Sequence, residues 1–154
     1  PGILSDIFLL KGQLELASNN YSGAEKSWKD AISKGKNAFG AYEARCELSE
    51  LYMNQNKLSS ADNLLDEVLQ NRDDELAARA QYLKGNLAEI QGDESRAILE
   101  YLKVKTLYRG FAQWVAKSLF NAGKIYVKQG KTEKAERLID EVKETYPQYY
   151  DEME

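Results

Sequence analysis

The chain contains no histidine and a single cysteine, Cys46. Clustered His and Cys side chains are what a zinc site is built from, so no metal site of that class is expected. A nucleophilic serine or cysteine needs a base beside it, and without an imidazole Cys46 has no obvious activator. One cysteine cannot close an intramolecular disulfide, which leaves the redox compartment undecided. Proline is nearly as scarce: Pro1 and Pro147 are the only two, so no helix between them need be broken. The ten glycines stand singly, and no Gly-rich phosphate loop occurs. No apolar run approaches the ~20 residues that a membrane span requires. Positive charge is also short, with 21 Lys and Arg against 25 Asp and Glu for a net charge of −4, which argues against general nucleic-acid binding. Carboxylate pairs are plentiful (Glu43 and Glu47, Asp73 and Asp74, Asp151 and Glu152), and at this density they read as solvated helix faces. The expectation is a chain that is not an enzyme and takes no metal or cofactor.

What is present is periodic. Hydrophobic residues make up 43% of the 154 positions, too many for wholesale disorder and enough for one domain. A small residue recurs as Gly12, Ser49, Gly85 and Gly123, and an alanine as Ala24, Ala61, Ala97 and Ala135, with a separation of 12 in every copy. The alanines step by 37, 36 and 38 residues. Packed helix axes lie ~8–10 Å apart only where the crossing carries small side chains, so Gly or Ser is expected to face Ala inside a helical hairpin. Between them stand Asn19, Asn56, Gly92 and Gly130, the residue types that best tolerate the left-handed turn at a helix end. Asn20, Asp93 and Thr132 are the candidate N-caps, with Ser22 and Glu25 as an alternative capping box. Large apolar residues follow each alanine at four and seven places: Trp28 and Ala31, Leu65 and Val68, Tyr101 and Val104, Ile139 and Val142. That is one helical face.

The pattern predicts helices over about 3–17, 20–34, 38–54, 57–71, 73–91, 93–108, 111–129 and 131–146. These give repeats at about 3–36, 38–71, 73–108 and 111–147 in a single domain, 1–154, with a tail at 148–154. The tail either frays or begins a further helix. The clearest copy, SLFNAGKIYVKQGKTEKAERLIDEVKETYP (118–147), resembles the tetratricopeptide repeat, a helix–turn–helix unit. That resemblance implies an all-α fold, a right-handed superhelical solenoid of four such repeats. The period exceeds the family's ~34 residues, and the fixed Gly-to-Ala spacing places the surplus between the second helix and the next repeat, in longer helices or in looser inter-repeat turns such as Lys34–Phe39 and Tyr108–Phe111.

The N-terminal stretch PGILSDIFLL has no starting methionine and no basic segment, and reads as the cut end of a longer chain rather than an intact signal peptide. Ile3, Leu4, Ile7, Phe8 and Leu10 give the first helix apolar residues on several sides. An outermost solenoid helix should be polar outside, so this edge points to truncation or to a homo-oligomer packed through it.

In the resembled family the first helices of successive repeats line a concave groove that holds a partner's peptide or helix. Counted from each Gly or Ser anchor, the inward positions −6, −3, +1, +4 and +5 share one stripe. They give Asp6, Leu9, Gln13, Leu16 and Ala17 in the first repeat; Glu43, Cys46, Glu50, Met53 and Asn54 in the second; Arg79, Tyr82, Asn86, Glu89 and Ile90 in the third; and Lys117, Phe120, Lys124, Val127 and Lys128 in the fourth. The groove so implied is acidic and apolar in its N-terminal half, basic and aromatic in its C-terminal half. A segment with acidic residues would meet Lys117, Lys124 and Lys128 and anchor on Tyr82 and Phe120, with Asn86 bonding its backbone. Some family members clamp a C-terminal carboxylate with paired Lys, Asn and Arg. Asn86 and Asn121 match two of those positions, but Tyr82 replaces the first lysine, so that mode is not expected.

The function implied is a protein–protein scaffold, with a structural or self-association segment as the alternative. The helix pairs are also similar in texture to bacterial cell-envelope members of the family, including Tol–Pal-associated coordinators and outer-membrane assembly lipoproteins. That likeness implies a periplasmic or envelope setting, with the cytoplasm as the alternative.

Overall fold

Eight long helices follow from the eight apolar stripes, and the computed structural model, which describes residues 1–153, is entirely helical over that range. The helices are α1 Gly2–Ala17, α2 Tyr21–Gly35, α3 Phe39–Asn54, α4 Leu58–Asn71, α5 Glu75–Ile90, α6 Glu94–Leu107, α7 Ala112–Lys128, α8 Thr132–Thr145 and α9 Pro147–Met153. The chain divides into two compact units, Pro1–Arg72 with α1–α4 and Asp73–Glu154 with α5–α9. Each unit contains two hairpins. Glu154, the last residue of the expected tail, lies outside the described residues.

The turns follow the residue types. Asn19, Asn56, Gly92 and Gly130 all take positive φ, at 58°, 58°, 76° and 70°. Lys36 does the same at 49°, in a connection between α2 and α3 that is as short as the hairpin turns, so the surplus over the family's period is not held in that turn. Asn20 and Asp93 cap α2 and α6 by accepting hydrogen bonds from the Gly23 and Arg96 amides at 3.1 and 3.0 Å. The capping box does not form, because Glu25 is drawn to Lys29 and Tyr52 instead. Thr132 is not a cap either. It is the first residue of α8, which Lys131 precedes without a side-chain bond.

The core is built from the repeated seats. Ala24, Ala61 and Ala97 have no exposed surface and Ala135 only 2%. Of the eight residues expected on the second-helix face, seven are fully buried and Ile139 is half-buried. The small residue does a different job from the one its spacing implies. A Cβ on Gly12 would lie within 3.0 Å of three Trp28 ring atoms, and one on Gly85 within 3.0 Å of three Tyr101 ring atoms. The glycine therefore makes room for the large residue one turn beyond the alanine. The alanine itself is too short to need that space.

Polar bonds tie the helices within each unit. In the first, Trp28 Nε1 donates to the Leu9 carbonyl at 3.3 Å, Ser5 Oγ to the Ala31 carbonyl at 3.1 Å, and Ser27 Oγ to Glu15 at 2.6 Å. In the second, the buried Gln81 donates to Glu100 Oε2 at 2.6 Å, and Lys103 balances that carboxylate at 3.3 Å. The tail forms α9. Its Tyr149, Tyr150 and Met153 pack against the cluster of Val104, Val115, Ala116, Leu119 and Val142.

Candidate functional site

Two clefts of nearly equal size occupy equivalent places, one in each unit. In the first unit a cleft of about 320 Å³ lies among Leu16, Tyr21, Trp28, Glu47, Glu50, Leu51, Asn54 and Gln55. In the second a cleft of about 330 Å³ lies among Glu89, Gly92, Glu94, Lys124, Ile125 and Lys128. Counted from the small-residue anchors, Glu50 and Lys124 share one position, Leu51 and Ile125 the next, and Asn54 and Lys128 a third. The same backbone thus presents an acidic and amide-lined recess in one unit and a lysine-bearing one in the other.

In the second unit Arg79, Tyr82, Asn86 and Glu89 of the expected groove lie on α5, and Lys117, Phe120, Lys124 and Lys128 on α7. Tyr82 is half-buried, its ring centroid 5.7 Å from that of Tyr101 and 5.5 Å from that of Trp114. Its hydroxyl accepts from Asn121 Nδ2 at 3.2 Å. The Tyr101 ring is buried between the helices, but its hydroxyl reaches Asn86 Oδ1 at 2.6 Å and the Glu89 carboxylate, and accepts from Asn121 at 3.4 Å. Burial, reinforced by the Glu89 carboxylate, holds that hydroxyl protonated far above the ordinary tyrosine value of 10.0. Asn86 and Glu89 are therefore fixed from below by one phenol.

The three lysines differ in environment. Lys117 lies 4.8 Å from the centre of the Trp114 ring and Lys124 5.3 Å from that of Phe120. Lys128 bonds Glu94 at 2.6 Å, which raises the lysine pKa and lowers that of the carboxylate. Gln129 Nε2 donates to the other Glu94 oxygen at 2.9 Å. Phe120 meets Tyr150 of α9 edge-on, with centroids 6.1 Å apart.

Other expected groove residues fall elsewhere. Met53 is 6% exposed and Cys46 and Leu9 are buried, so these positions pack inward and offer nothing to a partner. Glu50 lines the first unit's cleft, and Arg79 is half-buried on α5. The spacing argument missed Glu94 as a wall of the lysine-bearing cleft, Tyr101 as the group beneath Glu89, and Trp114 as the ring beneath Lys117. The available signal was a phenol in a core seat, whose hydroxyl must find a partner.

Residues 46–110 match one tetratricopeptide repeat profile and residues 116–149 match a second. The chain belongs to the tetratricopeptide repeat family. Repeats of this family generally mediate protein–protein interaction. Among solved structures the repeat chain is similar to MamA, at 18% identity and a TM-score of 0.69, over 96% of this chain and 75% of that one. It is similar to BtubC from P. vanneervenii, at 16% identity and a TM-score of 0.76, over 92% of this chain and 62% of that one. A tetratricopeptide repeat protein from Parabacteroides merdae ATCC 43184 matches at 18% identity and a TM-score of 0.73, over 95% of this chain and 55% of that one. The repeat chain thus spans less than two thirds of the length of the last two. At these identities the likeness is one of fold. No curated protein matches in sequence. Among the described residues no group of three His, Cys, Asp or Glu side chains forms a metal site, and no helix is long and apolar enough to cross a membrane.

Proposed function

We propose that this repeat protein is a non-enzymatic interaction scaffold that captures an acidic, partly apolar segment of a partner protein on the α5–α7 face of its second unit. The carrying observation is the cleft at Lys124 and Lys128, with Lys117 and Lys124 braced on aromatic rings rather than locked into ion pairs. An ammonium held over a ring keeps its charge at the surface while losing little freedom on binding. Tyr82 and Phe120 supply half-buried aromatic edges for apolar side chains, and Asn86 is oriented in advance by Tyr101. Aromatic anchors with a charged rim are the usual composition of an interaction hot spot.

An arrayed library of synthetic peptides of graded acidity tests the proposal, probed with the wild-type chain and with the Lys117→Glu/Lys124→Glu double variant. Acidic peptides carrying Leu or Phe should bind best, and the variant should lose about tenfold or more of that affinity with its helicity unchanged. Indifference to peptide charge, or equal binding by the variant, would overturn it.

A further inference from the structure

The first unit's cleft is built within that unit, from the ends of α1 and α3 and the start of α2. At about 320 Å³ it stands at the lower edge of the ~300–1,000 Å³ of ligand pockets, room for one long side chain of a partner. Its apolar part is Leu51 and Trp28, both buried, with Leu16 and Tyr21 still 37 and 50% exposed. The Tyr21 hydroxyl donates to Asn19 Oδ1 at 3.2 Å, which holds the ring in place before anything binds.

The charge of this cleft is of one sign. Among the eight residues that line it two are carboxylates, Glu47 and Glu50, and none is basic. Both are half-buried, one turn apart on α3. Gln13 Nε2 donates to Glu47 Oε1 at 3.4 Å and so orients that carboxylate. A carboxylate accepts at about four sites, so an oxygen bonded within the chain can accept from a guanidinium as well. Two helix ends add to the field. Leu16 stands in the last turn of α1 and Asn54 ends α3, and neither helix carries a basic residue in its last turn. A helix C-terminus bears roughly half a negative charge, which a nearby cation stabilises. α7 meets that need with its own Lys128, at the position that Asn54 holds on α3. Among cations arginine suits the cleft best. Its planar fork bonds a carboxylate at two points, its face stacks on a ring such as Tyr21, and its methylene stem lies along Leu16 and Leu51.

We propose that this cleft receives an arginine side chain from an apolar segment of a partner protein. It is a second site, carried by other residues and opposite in charge to the one on α5–α7. An NMR titration of the isotope-labelled 154-residue chain with the peptide acetyl-Leu-Arg-Leu-amide tests this. The expected result is saturable shifts in the amides of Leu16, Tyr21, Glu50 and Asn54. The matching citrulline peptide, which keeps the shape and loses the charge, should bind about tenfold or more weakly. The arginine peptide should lose as much on Glu50→Gln, and on Asn54→Lys, which sets a cation of the chain's own at an exposed position of the cleft. Circular dichroism of both variants should match the wild type. Lys124→Glu should bind the arginine peptide unchanged, so failure here is distinct from failure at the second unit. No saturable shift, equal binding of the arginine and citrulline peptides, shifts confined to α5 and α7, or indifference to both cleft variants would overturn the proposal.

Discussion

Trp28 in the first unit and Tyr101 in the second occupy the same seat, sixteen residues after their glycine anchors, and their rings fill the same space above Gly12 and Gly85. The two polar atoms go different ways. The indole nitrogen turns inward to the Leu9 carbonyl, while the phenol turns outward to Asn86, Glu89 and Asn121. The first polar atom therefore only ties its hairpin together. The second holds a hairpin together and also sets the surface above it. The paired clefts repeat this lesson, with Glu50 and Asn54 in one standing where Lys124 and Lys128 stand in the other. A repeat fold fixes its buried seats and leaves the chemistry of its surface to the positions between them.

The comparison breaks first if the two rings do not carry equal structural weight. Trp28→Ala and Tyr101→Ala each remove a fully buried aromatic ring. Each should cost about 3–5 kcal/mol in denaturant unfolding, because neighbouring helices cannot close the space left behind. A clear inequality would show that the two hairpins are packed on different principles.

A smaller change sharpens the difference. Tyr101→Phe keeps the ring and deletes the hydroxyl, at about 1–2 kcal/mol for the lost bonds. Its effect should also depend on pH. The folded chain raises the Tyr101 pKa above 10.0, so it holds the phenolic proton more tightly than the unfolded chain does. The resulting stability is fully present below about pH 10 and is lost as pH rises from there toward the folded value. Tyr101→Phe should flatten that alkaline decline in thermal unfolding, whereas an unaltered slope would mean the hydroxyl is not held in this way.

Much of the fold was legible because its determinants are local. Asn19, Asn56, Gly92 and Gly130 announce their turns through the one conformation that they tolerate and most residues do not. The buried alanines announce themselves by recurring in phase. The site was less legible, since a stripe of positions does not reveal which members the core will take. Met53 and Cys46 sit on the same stripe as Glu50, yet both are buried. The role given to glycine also needed three dimensions, because the Trp28 and Tyr101 rings reach back a full turn from their own backbone to fill its space. Lys128 reads as an available cation until Glu94, on a neighbouring helix, is seen to claim it.

The exchange of cleft residues between units tests most directly whether surface chemistry, and not the shared scaffold, decides what is bound. Isothermal titration of a Glu- and Leu-rich synthetic peptide would be run against the wild-type chain and against Lys124→Glu/Lys128→Asn, which installs the first unit's residues in the second. The account predicts binding by the wild type and a loss of about tenfold or more in the exchanged variant at unchanged helicity. Equal affinity for the two chains would contradict it.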